Sequence, residues 1–246
     1  MHKWFQAAAL AAAVLVLVCL CALGWAVLQG YCMYRAATGQ APLAQKIEQV
    51  RAQPGYTPLD QLPAAYLNGV IAAEDHRFYR HHGVDPLAIC RAVWNNLRAG
   101  RLAEGGSTIT QQLAKNFYYT QEKRLSRKVA EVFTAWLIED SCTKHEILEL
   151  YVNAIYFGDG YTGIGQAAQG YFGRRPGQLT FYQATMLAGI PNAPSAYAPT
   201  RRPDLAGQRQ AQVVRRMAVC GLLPSCGWGA APGPRGGPAP AFSPGR

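Results

Sequence analysis

Acidic residues are scarce in this chain, and along one stretch charge of either sign is missing. The 246 residues include 14 Asp and Glu against 24 Lys and Arg, and charged residues make up only 15% of the total. With hydrophobic content at 50%, so apolar a chain does not stay disordered throughout. No C-x-x-C pair occurs among the 7 cysteines, which argues against a zinc site. Cys220 and Cys226 are close enough in sequence to pair across a short loop, with two free thiols as the equal alternative. Period-two alternation is scarce and no internal repeat is apparent, so the body reads as one mainly helical domain. Only one run is long and apolar enough to span a bilayer, so the chain is not a polytopic membrane protein.

That run lies near the N-terminus. No Asp, Glu, Lys or Arg occurs from Trp4 to Tyr34. As a helix, residues 7–28 would measure about 33 Å, enough for a hydrocarbon core of about 30 Å. Trp4 and Phe5 at one end, and Trp25, Tyr31 and Tyr34 at the other, suit the two interfaces. A cleaved signal peptide would have a shorter apolar region and a small-x-small site behind it. Neither applies, so the reading is an uncleaved single-pass anchor over 1–35, with Lys3 favouring the N-terminus inside.

Residues 36–61 read as a connector carrying Pro42, Pro54, Gly55 and Pro58. From 62 to 223 the pattern is helical. Ile109, Leu113 and Phe117 recur at helical spacing, as do Leu125, Val129, Val132, Phe133, Trp136 and Leu137, and then Ile147, Leu148 and Tyr151. Residues 224–246 contain six Pro and six Gly, the composition of a disordered tail. Setting aside Lys3, Arg35, Arg235 and Arg246 leaves 20 bases against the same 14 acids. A moderately basic body suits an anionic partner.

Three clusters could carry chemistry. Glu74-Asp75 follows the apolar run Val70–Ala73, which puts an acid pair at a helix end. Such a carboxylate is ordinarily solvated, but held against apolar neighbours it would have a raised pKa and could act as a general base. Gly105-Gly106-Ser107-Thr108 precedes Ile109, and Thr108 with Gln111 fits a capping box. Donors at such a helix start can hold an anion, and Thr108, Gln112 and Lys115 fall on one face. Finally, Lys115 to Lys128 holds five bases and one acid. Lys128 and Glu131 share a face, and an Arg127–Glu131 pair on a solvated helix would add a few tenths of a kcal/mol. Together, a carboxylate, a capped helix start, a basic face and a second carboxylate suit a reaction on an anionic, lipid-linked substrate. There a base activates a hydroxyl and cations neutralise a departing phosphate.

These residues also carry a resemblance. Glu74-Asp75, Phe78, His81, Gly83 and Asp85 follow E-D-x-x-F-x-x-H-x-G-x-D. Gly105 to Leu113 reads G-G-S-T-I-T-Q-Q-L, and Arg127-Lys128-x-x-Glu131 reads R-K-x-x-E. Lys144, Ile147-Leu148-Glu149, Tyr151 and Asn153 follow K-x-x-I-L-E-x-Y-x-N. Leu179-Thr180, Leu187 to Pro191 and Ala193-Pro194 supply a fifth block. In these blocks the chain resembles the peptidoglycan glycosyltransferase family, the transglycosylase domain of class A penicillin-binding proteins and its monofunctional relatives. The resemblance covers about 62–223.

It implies a mainly α, lysozyme-like domain with a large helical lobe and a smaller membrane-proximal lobe, preceded by one transmembrane helix. The implied reaction polymerises lipid II into β-1,4-linked glycan with inversion and release of polyprenyl pyrophosphate. Glu74 would be the general base, with Glu131 assisting at the donor. Lys115, Lys123, Arg127 and Lys128 would engage the pyrophosphate, while Ser107, Thr108, Gln111 and Gln112 line the donor site; Asp75, Phe78 and His81 would complete the binding residues. No cofactor is required by the sequence, although some relatives use a divalent cation, Mg or Mn, at the pyrophosphate.

The implied partners are lipid II, the growing strand, the membrane and other cell-wall synthesis proteins, with the catalytic domain on the extracytoplasmic face of the cytoplasmic membrane; nucleic acid is not expected there. Gln183 stands where the fifth block commonly has an acid, and Thr185 where it has a small residue. No S-x-x-K, S-x-N or K-T-G set follows residue 200, so penicillin binding is not expected. The competing functions are a lytic transglycosylase or lysozyme, which cleaves finished glycan without needing a basic face, and a catalytically silent scaffold.

Overall fold

The computed structural model describes residues 2–100, 105–120 and 124–223. Lys123, Cys226 and the tail assigned to 224–246 lie outside the described residues. In chain order the helices are α1 (His2–Gln40), α2 (Leu43–Arg51), α3 (Ala64–Glu74), α4 (Pro86–Ala99), α5 (Ile109–Tyr118), α6 (Leu125–Ser141) and α7 (Lys144–Ala154). A hairpin of β1 (Tyr156–Gly158) and β2 (Tyr161–Thr162) follows, then α8 (Ile164–Phe172), α9 (Phe181–Gly189), α10 (Pro194–Tyr197) and α11 (Pro203–Val219). The fold is mainly α. It divides into one unit of Met1–Gln49 with His81–Ile147, and another of Val50–Arg80 with the chain from Leu148 on.

In the first unit, α1 overruns the expected anchor. Its 39 residues correspond to about 58 Å, nearly twice a hydrocarbon core, and Trp4–Gln40 is long and apolar enough to cross a membrane. The helix enters the segment read as a connector because nothing breaks it before Pro42, and α2 forms directly afterwards. The C-terminal part of α1 packs on α6. Gly30 is buried there, and a Cβ at that position would lie 2.6 Å from the Val129 Cβ and 2.7 Å from the Ser126 carbonyl oxygen. Beyond it the rings of Tyr31 and Tyr34 sit 5.4 and 5.9 Å from Phe133, which meets Trp136 edge-on.

This contact explains the apolar stripe of α6. Val129 and Phe133 serve α1, whereas Leu125 and Trp136 remain exposed. The face turned into the unit carries Ala130, Glu131, Thr134, Ala135 and Ile138, small and polar residues that hydrophobicity alone does not single out. Against them stands α5, whose Ile109, Leu113 and Phe117 are buried as its periodicity predicts.

In the second unit, α3, α9 and α11 pack on one another. The buried face of α11 consists of Ala206, Gln210, Val213 and Met217, an i, i+4, i+7, i+11 stripe. Thr180 and Gln183 form a capping box at the start of α9, so Gln183 does the capping work an acid could also do. The Thr185 hydroxyl donates to the Phe181 carbonyl and accepts from Gln210 Nε2 at 2.8 Å. Both departures from the fifth block are thus satisfied locally. On α7, Asn153 accepts from the Thr57 amide at 2.8 Å and donates to its carbonyl at 2.9 Å, while Glu149 takes the Tyr56 hydroxyl and the Leu59 amide. The Glu and Asn of the fourth block therefore pin the segment leading into α3.

Replacing Gly30 with Leu should separate α1 from α6. An expected loss of about 1–3 kcal/mol, typical of overpacking, would be read as a lowered thermal midpoint of the full chain in detergent, with Gly24→Leu, at an uncontacted position, as the silent control.

Candidate active site

In the first unit the site begins with a helix start. Thr108 caps α5 by accepting from the Gln111 amide at 3.1 Å, and the Gln111 side chain returns the bond to the Thr108 amide at 3.1 Å. The Thr108 hydroxyl also donates to the Gly83 carbonyl at 2.6 Å. Both side chains are 2% exposed, so what they can offer a ligand is a rigid helix start rather than their own polar atoms. Gln112 and Lys115, further along α5, are half-buried.

Next to this start runs the first turn of α6. Lys128 Nζ donates to the Ser107 hydroxyl at 2.6 Å and to Glu131 Oε2 at 2.8 Å, and Arg127 pairs with the other oxygen of Glu131. The surface pair expected from the sequence is instead buried: Glu131 is only 1% exposed. Half-burial and the nearby Arg127 and Lys115 charges pull the Lys128 ammonium down to about 8, even beside the Glu131 carboxylate, and Lys115 is lowered for the same two reasons, burial and then Arg127.

Glu139 is a residue that the sequence reading missed. Buried on α6, it accepts from the Gly83 amide at 2.9 Å, the Thr110 hydroxyl at 2.6 Å and Lys144 Nζ at 2.7 Å. One carboxylate thereby ties the loop after His81, the start of α5 and the start of α7. Its only sequence signal was Lys144 in the fourth block. His82 Nε2 lies 2.9 Å from Asp140, and Asp85 caps α4 by accepting from the Leu87 and Ala88 amides.

The second unit holds the other acids. Glu74 is the last residue of α3 and Asp75 its C-cap, the helix-end position expected. Neither is solvated: the Glu74 side chain is 6% exposed and Asp75 is 7% exposed. Arg209 Nη2 lies 3.7 Å from Glu74 Oε1. Tyr66 and Tyr151, both fully buried, have hydroxyls pushed up by burial and then by the Glu74 charge. Phe78 is fully buried, edge-on to Tyr79. It is a core residue that anchors the turn after Asp75.

A transglycosylase family model matches residues 41–218. A Cupriavidus necator protein whose name assigns it provisionally to the transglycosylases is 44% identical over 188 residues, 76% of this chain and 81% of that protein. Penicillin-binding protein 1A of Escherichia coli is 48% identical over 165 residues, and that of Aquifex aeolicus 46% over 168. The chain belongs to the peptidoglycan transglycosylase family. As a family member it is a peptidoglycan glycosyltransferase, a cell-wall synthesis enzyme. The matches take in 67% and 68% of this chain but only 19% and 23% of the two penicillin-binding proteins, so the likeness concerns one domain of those larger molecules. Among the described residues of this transglycosylase, no three His, Cys, Asp or Glu side chains are grouped to hold a metal ion.

Replacing Glu139 with Ala should destabilise this transglycosylase by about 2–4 kcal/mol, because the Lys144 charge and the Thr110 hydroxyl lose their buried acceptor. Urea unfolding of the full chain should show it, and Glu139→Gln, which keeps an acceptor, should cost less.

Proposed function

We propose that this transglycosylase polymerises lipid II into β-1,4-linked glycan from an N-terminal membrane anchor. The cytoplasmic end of the anchor would be its N-terminus, and the chain that follows the anchor would lie on the extracytoplasmic face. The observation that carries this reading is the desolvated carboxylate of Glu74 at the end of α3.

Glu74 takes the proton of the acceptor sugar hydroxyl as its oxygen bonds to the donor's anomeric carbon. The anomeric carbon–phosphate oxygen bond breaks on the opposite side, which inverts the configuration, and polyprenyl pyrophosphate leaves. Arg127, Lys128 and Lys115, together with Lys123, meet the pyrophosphate as its charge grows. A cation held among fixed dipoles in a partly dry site acts more strongly there than in water. Glu131 keeps Arg127 and Lys128 in place and assists at the donor, while Ser107, Gln112 and the capped start of α5 orient it. Asp75 and His81 would support the acceptor side. A divalent cation, Mg or Mn, if used, would be brought by the pyrophosphate oxygens; no step is assigned to it. Cell-wall synthesis proteins are the natural neighbours of such an enzyme.

Two outcomes are expected. Glu74→Gln should lower lipid II polymerisation by about 10²–10⁴-fold, the range for a positioned base, with an unchanged thermal midpoint; activity equal to wild type would remove Glu74 from the base role. Lys128 is charged below about pH 8 and loses its proton as pH rises through that value, so attraction for the anionic donor falls on the alkaline side. The pH profile of kcat/KM, which reports the free enzyme, should decline above about pH 8, and Lys128→Arg, which does not titrate in this range, should flatten that limb.

A further inference from the structure

Glu74 needs more than burial to serve as a base: at working pH it has to be ionised and aimed. We propose that Arg209 is the positioning residue that does both, holding the Glu74 carboxylate in its charged form at the end of α3. The inference rests on the reading of Glu74 as the base.

Arg209 lies on α11, and Arg216, two turns further along, shares its face. The two arginines meet the last turn of α3. Arg216 Nε donates to the Ala72 carbonyl at 3.0 Å, an acceptor that the helix itself leaves unused, and Arg209 Nη2 stands 3.7 Å from Glu74 Oε1. The guanidinium of Arg209 is fixed from several sides. Its Nε donates to the Gly189 carbonyl at 3.2 Å, its Nη1 to Gln212 Oε1 at 3.4 Å, and it lies 5.6 Å from the ring centroid of Tyr197. With a side chain 14% exposed, it is largely shielded from competing water.

The approach depends on Gly189, the glycine of the fifth block. A Cβ there would fall 2.9 Å from Arg209 Cγ and 3.1 Å from Val213 Cγ2. The bare backbone therefore lets the arginine stem cross α9 to reach α3. This gives the L-A-G-I-P sequence a part in the chemistry that its apolar composition does not suggest.

The ion pair is longer than a hydrogen bond. At 3.7 Å the guanidinium stabilises the anion through space without donating directly to that oxygen. Ionisable groups near Glu74 include Tyr66 on α3, Tyr151 on α7 and the adjoining Asp75. The tyrosines stay neutral and Asp75 is of like charge, so none of these three brings a positive charge to Glu74. Arg216 is committed to the Ala72 carbonyl, and α9 contributes no ionisable side chain except the exposed Tyr182.

The test uses the full chain in detergent with lipid II, following kcat/KM against pH. For Arg209→Gln we expect about a tenfold or greater loss at neutral pH, with the acid limb moved to higher pH and part of the loss recovered there. Arg209→Lys should return the limb most of the way, and Gly189→Ala, which keeps the charge but displaces the stem, should move it in the same direction by less. In a Glu74→Gln background, Arg209→Gln should cost nothing further. An acid limb that stays in place in a folded Arg209→Gln protein, or a full additional loss in the double variant, would overturn the proposal. Should Arg209→Gln fail to fold, the limb in Gly189→Ala decides: unmoved, it overturns the proposal. Wild-type activity in Glu74→Gln alone would instead remove the base assignment itself, an outcome distinct from either.

Discussion

A carboxylate shut away from water has to be met by positive charge, and in this transglycosylase that requirement organises the α6 region. Glu131 is held by Arg127 on one oxygen and by Lys128 on the other. Truncating one partner of such a buried pair strands the other, which is why these contacts are all-or-none. Lys128 also reaches Ser107, so the loop before α5 is fixed by the same cation. The start of α5, the start of α6 and the basic face are therefore one preorganised piece, with Glu139 tying its far side to the loop at Gly83. Preorganised charge of this kind stabilises a developing anion without having to rearrange as the reaction proceeds.

The second unit treats its carboxylate differently. Glu131 has Lys128 at 2.8 Å, and Glu74 has Arg209 at 3.7 Å and the buried Tyr66 and Tyr151 near it. Two acids placed in unlike surroundings can take unlike roles: Glu131 holds the cationic residues in place, and the proposed role of Glu74 is that of a base. The long α1, packed through Gly30 on the same helix that carries Arg127 and Lys128, makes the apolar N-terminal segment a structural partner of the first unit rather than a simple tether.

Much of this was legible in the sequence. The capping box at Thr108 and Gln111, the helix end at Glu74-Asp75 and the shared face of Lys128 and Glu131 follow from spacing, because i, i+3 and i, i+4 relations are set within one helix. Burial was not legible. Charge pattern alone made Arg127–Glu131 a solvated pair, since nothing local reveals that Ala130, Thr134 and Ala135 turn inward with Glu131. The apolar stripe of α6 pointed to Val129 and Phe133, and their partner proved to be α1. Glu139 and Arg209 were missed for the same reason: their partners come from remote stretches of chain and leave no periodic trace. The length of α1 was not legible either: interfacial aromatics mark where a membrane ends, and the helix continues to Gln40, near the first proline.

On the proposed mechanism this enzyme builds glycan and does not degrade it. Purified full-length wild-type protein, supplied first with lipid II and then with preformed glycan, tests that directly through the size of the products. The expected result is lengthening strands and stoichiometric release of polyprenyl pyrophosphate from lipid II, with the preformed glycan left intact. Shortened glycan beside unused lipid II would contradict it.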